Sequence, residues 1–256
     1  MVAIAWFAVL ILVPVGGLIQ KLLGFRFATI LEALLTESAG HAFVLTAKVT
    51  IITVLVNTLM GILIAKVIVS QHFKGKLFIE GLIDLPFAVS PVVAGFMIVI
   101  LFGPYGWVGS GLEELGLKVV YSVPGIVIVT IFVTLPFVAK EVLPIYRQVG
   151  LQGEEAAMVL GASQWQTFWW VTLPSIKWGV IYGVTLVTAR SLGEFGAVLV
   201  VSGSIINKTQ TATLFIHQEF TDFNYTAAFS ASMVIAVIAF AILIGIEMSA
   251  KRKRNI

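Results

Sequence analysis

The sequence predicts an all-α polytopic membrane protein with six transmembrane helices. Three observations predict it. Of the 256 residues, 59% are hydrophobic and only 11% charged, where a soluble domain is nearer half apolar and a quarter charged. Six apolar blocks stand out at 2–19, 45–69, 82–102, 120–139, 178–201 and 229–246, each near the length of about 20 residues that crosses a bilayer. The breaks between them collect the charges. The blocks must be helical, because open strands leave backbone groups unsatisfied in hydrocarbon. The length accommodates one transmembrane domain over 1–256 and no large soluble domain beside it.

The first block has no basic start and no clear small-residue cleavage site, so a retained span is expected rather than a signal peptide. The second block runs into Lys66, Lys74 and Lys76. The third contains Asp84-Leu-Pro86-Phe-Ala-Val-Ser90-Pro91. Two prolines in one span free backbone carbonyls, which is tolerated against protein or a cavity. Ser90 and Pro91 are therefore candidates to line a pathway, with a plain structural kink as the alternative. Pro124 and Pro136 in the fourth block are read as structural.

The fifth block carries Ala189-Arg190-Ser191-Leu192-Gly193-Glu194-Phe195-Gly196-Ala197. Arg190 and Glu194 are four apart and are expected on one helix face. Charge at membrane depth is costly and faces a partner or a watery path. This stretch is either an ion pair that fixes packing or a pathway lining of Arg190, Ser191, Glu194 and Phe195 in which Arg190 offsets an anion. Gly193 and Gly196 are expected to permit close helix approach.

Six spans put both termini on one side. That side holds Lys66, Lys74, Lys76, Lys140, Arg147, Lys177 and the tail Lys251-Arg252-Lys253-Arg254. The other side holds only Lys21, Arg26, Lys48, Lys118 and Lys208. Basic residues favour the cytoplasm, which places both termini there. The net charge of +3 is thereby explained without nucleic acid, since no basic face interleaved with aromatics lies outside the blocks. There is no cysteine, which excludes disulfides and thiolate metal sites. His41, His72 and His217 lie in different loops, and neither H-E-x-x-H nor G-x-S-x-G occurs. No catalytic or metal-ligating residue is expected.

The break after the fourth block, about 140–177, contains Glu154-Glu-Ala-Ala-Met-Val-Leu-Gly161 and then Ser163-Gln-Trp-Gln-Thr-Phe-Trp-Trp-Val-Thr-Leu-Pro174. Glu154 and Glu155 favour the start of a short helix, Ala156 and Ala157 give it a smooth face, and Gly161 ends it. Ser163 with Gln166 makes a capping box for a second helix. Pro174 is expected to stop that helix. Such a hairpin can rest at headgroup level on its tryptophans, or it can dock a partner beneath the membrane.

Glu155-Ala156-Ala157, Gly161 and Leu173-Pro174 resemble the E-A-A…G…L-P signature of permease subunits of ATP-binding-cassette importers. The resemblance implies a type I, MetI-like permease fold, in which this loop couples to a cytoplasmic ATPase. It implies a coupling role for Glu154, Glu155, Ala156, Ala157, Gly161, Leu173 and Pro174. No G-x-x-x-x-G-K-[ST] is present, so this chain does not cradle nucleotide phosphates itself. ATP and magnesium are expected on the ATPase. LIDLPFAVSPVVAG, IFVTLPFVAKE and ARSLGEFGAVLVVSG are together similar to sulfate/thiosulfate permeases of the CysW type, over about 45–231. That resemblance implies a second permease of the CysT type, two ATPase subunits, a periplasmic sulfate-binding protein, and a bacterial inner membrane. The arginine-to-alanine string of the fifth block is shared with molybdate and tungstate permeases, which keeps that cargo open. A proton-coupled transporter and an intramembrane enzyme using Asp84 with Glu194 are more distant alternatives.

Overall fold

Thirteen α-helices, five of them of 20 residues or more, make up most of the backbone in a computed structural model that describes residues 2–71 and 73–254. No strand occurs among the described residues. His72 lies outside them, as do the side chains of the basic run 251–254 used above for orientation.

Four helical stretches are long and apolar enough to cross a membrane: Glu37–Ser70, Val123–Val149, Gln164–Leu192 and Tyr225–Ile246. Two more apolar stretches are sharply bent pairs. The first apolar block becomes α1 (Val2–Leu23), which turns by 103° into α2 (Phe27–Leu34). The second becomes α3 (Glu37–Ser70), which starts eight residues earlier than expected because the Thr36 hydroxyl caps it by accepting the Ala39 N–H.

The third block is not one straight span. It divides into α4 (Lys76–Ala88) and α5 (Pro91–Phe102), bent by 111°. The cause is local: a residue before proline is biased away from helical backbone, and Ser90 is extended at φ −59° and ψ 139°. Pro86 sits inside α4 without ending it. A short helix, α6 (Gly109–Glu114), precedes α7 (Val123–Val149), where Pro124 occupies the first turn. Proline is favoured there because the N–H it lacks has no intrahelical partner.

The hairpin is α8 (Gln152–Val159) and α9 (Gln164–Thr167). Pro174 does not stop the second helix. A π-helical turn, Phe168–Thr172, carries α9 directly into α10 (Leu173–Leu192). Pro174 lacks the N–H that would bond the Trp170 carbonyl, and its ring crowds that carbonyl. A widened turn just ahead of it absorbs the ring while the rod continues. The fifth block is also divided: α10 ends at Leu192, and α11 (Gly196–Ser202) follows a three-residue break. A further helix, α12 (Ala212–Thr221), then leads to α13 (Tyr225–Arg254).

The bundle centres on α3, α7 and α10. Small residues let these helices approach. A Cβ on Gly61 would lie 2.6 Å from the Val138 side chain, and one on Gly183 would lie 2.8 Å from the Val138 Cα. Lipid supplies no hydrophobic drive between helices, so such close van der Waals packing carries the association. One buried cluster joins Ile62, Val138, Val142, Tyr146, Ile176 and Val187 at the hairpin end. Another joins Leu45, Ala94, Ile126, Val129, Ala197 and Val201 at the far end.

Candidate functional site

Two places gather the residues that the sequence singles out. The first is the hairpin between α7 and α10. Gly150 ends α7 with φ 70°, and Gly161 ends the turn after α8 with φ 92°, both in the left-handed region that favours glycine. Ser163 and Gln166 form the expected reciprocal capping box: Gln166 N–H donates to Ser163 Oγ, and Ser163 N–H donates to Gln166 Oε1 at 2.8 Å.

The two glutamates differ sharply. Glu154 is buried, and its Oε1 accepts hydroxyl hydrogen bonds from Tyr146 at 2.5 Å and Thr172 at 2.7 Å. Burial of a carboxylate is tolerated only with such donors. Glu154 therefore roots the hairpin to the end of α7 and to the π turn. It is not displayed for docking. Glu155 and Ala156 are exposed, and Ala157 is half-buried. Leu173 packs against the inner cluster, and Pro174 is exposed. The most prominent surface belongs to residues that the signature does not include: Val159 and Leu160 are 87% and 88% exposed, with Trp165 and Trp170 beside them in sequence almost as bare. Trp165, Phe168 and Trp169 pack ring against ring, and Lys66 Nζ stands 5.5 Å from the Phe168 centroid. A cleft of about 370 Å³ between the end of α3 and the hairpin is lined by Lys66, Ser70, Glu154, Glu155 and Thr167. The end of α3 and the hairpin thus lie on one side of the bundle.

The second place is the meeting of the two broken spans. α5 and α11, the halves beyond the breaks, pack on each other. A Cβ on Gly95 would come 2.8 Å from the Ala197 carbonyl oxygen, and one on Gly196 would come 3.3 Å from Pro91 Cβ. The break at Ser90-Pro91 and the break at Gly193–Phe195 therefore face each other, and the two candidate pathway strings converge. Gly193 itself is not a packing glycine, since its Cβ would meet only the Ala189 carbonyl at an ordinary 3.8 Å.

Arg190 and Glu194 do pair, at 2.8 Å between Nη1 and Oε2, but not as neighbours on one helix face. Glu194 lies past the end of α10. Its Oε1 accepts the Ala197 N–H of α11 at 3.1 Å, and its carbonyl accepts the Thr213 hydroxyl of α12 at 2.6 Å. One residue thus holds three elements together. The Glu194 side chain is 2% exposed and the Arg190 side chain 33%, so the carboxylate is enclosed while the guanidinium reaches an open surface. Ser191 is buried beside Glu194 in a small polar cavity that Thr46, Thr130 and Thr211 also line. Phe195 is half-buried, with its ring 5.1 Å from the His217 ring of α12.

A polar seam continues from there. Thr46, Thr50, Thr53 and Asn57 are all buried on α3, and Thr130 and Thr134 are buried on α7. Asn57 Nδ2 donates to Thr134 Oγ1 at 2.8 Å and to the Ile131 carbonyl at 3.2 Å. The spacing of four, three and four along α3 is a helical face written in hydroxyls and an amide, a signal that hydropathy alone passes over.

A model of the family described as binding-protein-dependent transport system inner membrane component matches residues 57–254. The chain belongs to this family of importer permeases. It is therefore a membrane pore component and not an enzyme. It is 46% identical over 222 residues to the sulfate transport system permease protein CysW of Synechocystis, covering 87% of this chain and 80% of that one. It is 42% identical over 236 residues to the Escherichia coli protein of that name, covering 92% and 81%. The Escherichia coli sulfate transport system permease protein CysT is 33% identical over 238 residues, covering 93% and 86%. Among solved structures, a bacterial importer of the acidic polysaccharide alginate superposes with a TM-score of 0.77 at 21% identity, over 98% of this chain and 93% of that one. A bacterial alginate transporter in complex with a periplasmic protein superposes at 0.81 and 22%, over 98% and 91%. These structures establish the fold.

Proposed function

We propose that this permease is one half of the membrane pore of an ATP-driven importer of sulfate and thiosulfate. The carrying observation is the 42–46% identity to sulfate permeases over most of the chain, which includes both strings that meet at the two breaks. The fold alone would not choose a cargo, because the alginate importers share it. On this reading a second permease of the CysT type completes the pore, and two ATPase subunits bind beneath it with ATP and magnesium. A periplasmic sulfate-binding protein delivers the oxyanion, and the membrane is the bacterial inner membrane with both termini inside.

The hairpin transmits the ATPase movement. Its bare Val159, Leu160, Trp165 and Trp170 supply apolar contact area, and Glu154 makes its root stiff. Arg190 and Ser191, with Ser90 and Pro91 across from them, border the path of the anion. Arg190 offsets its charge, and Glu194 and Phe195 hold the break in shape. ATP can drive the cycle only if the inward and outward states differ in affinity for the ATPase and for the cargo.

The test is uptake by the reconstituted complex. Arg190→Gln should lower sulfate uptake while both permeases and the ATPase still co-purify, and unchanged uptake kinetics would remove the role of Arg190. Competition between sulfate, thiosulfate and molybdate decides the cargo. Displacement by molybdate at lower concentration than by thiosulfate would move the assignment to a molybdate permease.

A further inference from the structure

Four charges on α4 and the inner part of α7 have no place in the scheme above. Glu80 and Asp84 lie four apart on one face of α4. Arg147 Nη2 reaches Glu80 Oε1 at 2.6 Å, and Lys140 Nζ reaches Asp84 Oδ1 at 2.9 Å. The row continues into aromatics. Phe87 meets Phe137 edge-on at 5.1 Å, and Lys140 Nζ stands 4.7 Å from the Phe87 centroid. The two helices therefore run side by side along this row.

These charges are not enclosed. The Lys140 and Asp84 side chains are 48% and 52% exposed, and those of Arg147 and Glu80 are 48% and 28% exposed. Lys140 directly follows the apolar block 120–139, and α7 runs on past it for nine residues, about 13 Å at 1.5 Å per residue. Accessible charge at the end of an apolar block does not face hydrocarbon, where it is costly. Lipid is suited instead to the exposed apolar side chains on another face of α4, Phe78 and Leu82. The charged row faces water or protein.

We infer that this row borders the inner end of the translocation route, and that Lys140 and Arg147 are specificity-determining cations for a doubly charged tetrahedral oxyanion on its way out. Asp84 and Glu80 are their resting counter-charges. Half-exposed pairs are weak, so a passing dianion can take over each ammonium or guanidinium from its carboxylate. The phenylalanine faces keep Lys140 in place during the exchange through the attraction of a cation for a ring. This inference rests on the sulfate reading, and it adds an inner station to Arg190.

The measurement is sulfate uptake by the assembled importer in proteoliposomes, with wild type as control. Lys140→Met should lower the maximal uptake rate about tenfold, the scale of one hydrogen bond to a charged group, and Lys140→Arg should restore it. Asp84→Asn removes the same ion pair but frees the cation for the anion, and should lower the sulfate concentration that gives half-maximal uptake. Subunit capture should be unchanged in all three. If Asp84→Asn and Lys140→Met slow uptake equally, the pair is a packing or subunit contact and the inference fails. It also fails if the double variant Lys140→Met with Arg147→Met transports normally. A wild-type complex that moves no sulfate sinks the parent reading instead, and the control separates the two cases.

Discussion

Glu154 shows how a charged side chain can be structural even at the heart of a functional signature. Two hydroxyls satisfy its Oε1, one from α7 and one from the π turn. A hydrogen bond to a charged group is worth about 1.5–3 kcal/mol. Tyr146→Phe should therefore destabilise the permease by about 2 kcal/mol, read as a lowered thermal midpoint in detergent. Thr172→Val should act in the same direction and by less than the sum when combined, because both donate to one oxygen. Glu155→Gln, on the exposed neighbour, should leave the midpoint unchanged. The sequence marks Glu154 and Glu155 as a pair and gives no means to tell them apart. The partners that separate them come from eight positions upstream and eighteen downstream, and only the fold brings those together. The same is true of Glu194, whose spacing from Arg190 was legible while its grip on Ala197 and Thr213 was not.

Among the elements, the two broken spans differ most from a hydropathy profile. Hydropathy measures how apolar a window is and is blind to direction, so it sees 82–102 and 178–201 as ordinary spans. The first break was nevertheless written in the residues, since Ser90 precedes a proline. The second was not, because Gly193-Glu194-Phe195 can all sit in a helix and only packing of α11 on α5 turns them out. The crossing of α3, α7 and α10 depends on glycines that meet Val138 from both sides. Gly183→Leu should overpack that crossing and cost about 1–3 kcal/mol, again as a lowered midpoint. Gly193→Ala, which meets only one atom at van der Waals distance, should cost far less. Equal losses for the two would show that the crossing is not as tight as the distances require. The capping box and the turn at Gly161 were predicted from local chemistry and stand as read. The stop at Pro174 failed because a π turn offers proline a second way to fit.

Across the whole molecule, the class of fold was legible because composition and block length both follow from lipid as the solvent. Six apolar blocks give four long helical stretches and two bent pairs, and the break in the third block meets the break after Leu192, which gathers at one place the strings that resemble a pathway. The proposed division of labour follows from this arrangement. A stiffly rooted hairpin with a bare apolar crest lies at one end of α7 and α10, and two facing breaks around Arg190 and Glu194 lie toward the other. Rigid helices link the two, since α7 runs unbroken for 27 residues and the rod 164–192 for 29. A movement imposed at Trp165 or Trp170 can therefore reach the breaks without passing through a loop.

The most direct measurement of this account combines subunit capture with ATP-driven sulfate uptake for the wild type and for Val159→Asp with Leu160→Asp. Both positions are at the exposed crest, outside the buried cluster at that end, so the bundle should keep its thermal midpoint. The double variant should still capture the second permease, lose the ATPase subunits, and lose uptake to the level seen without ATP. Full uptake in the double variant, or a wild-type complex that captures no ATPase, would contradict it.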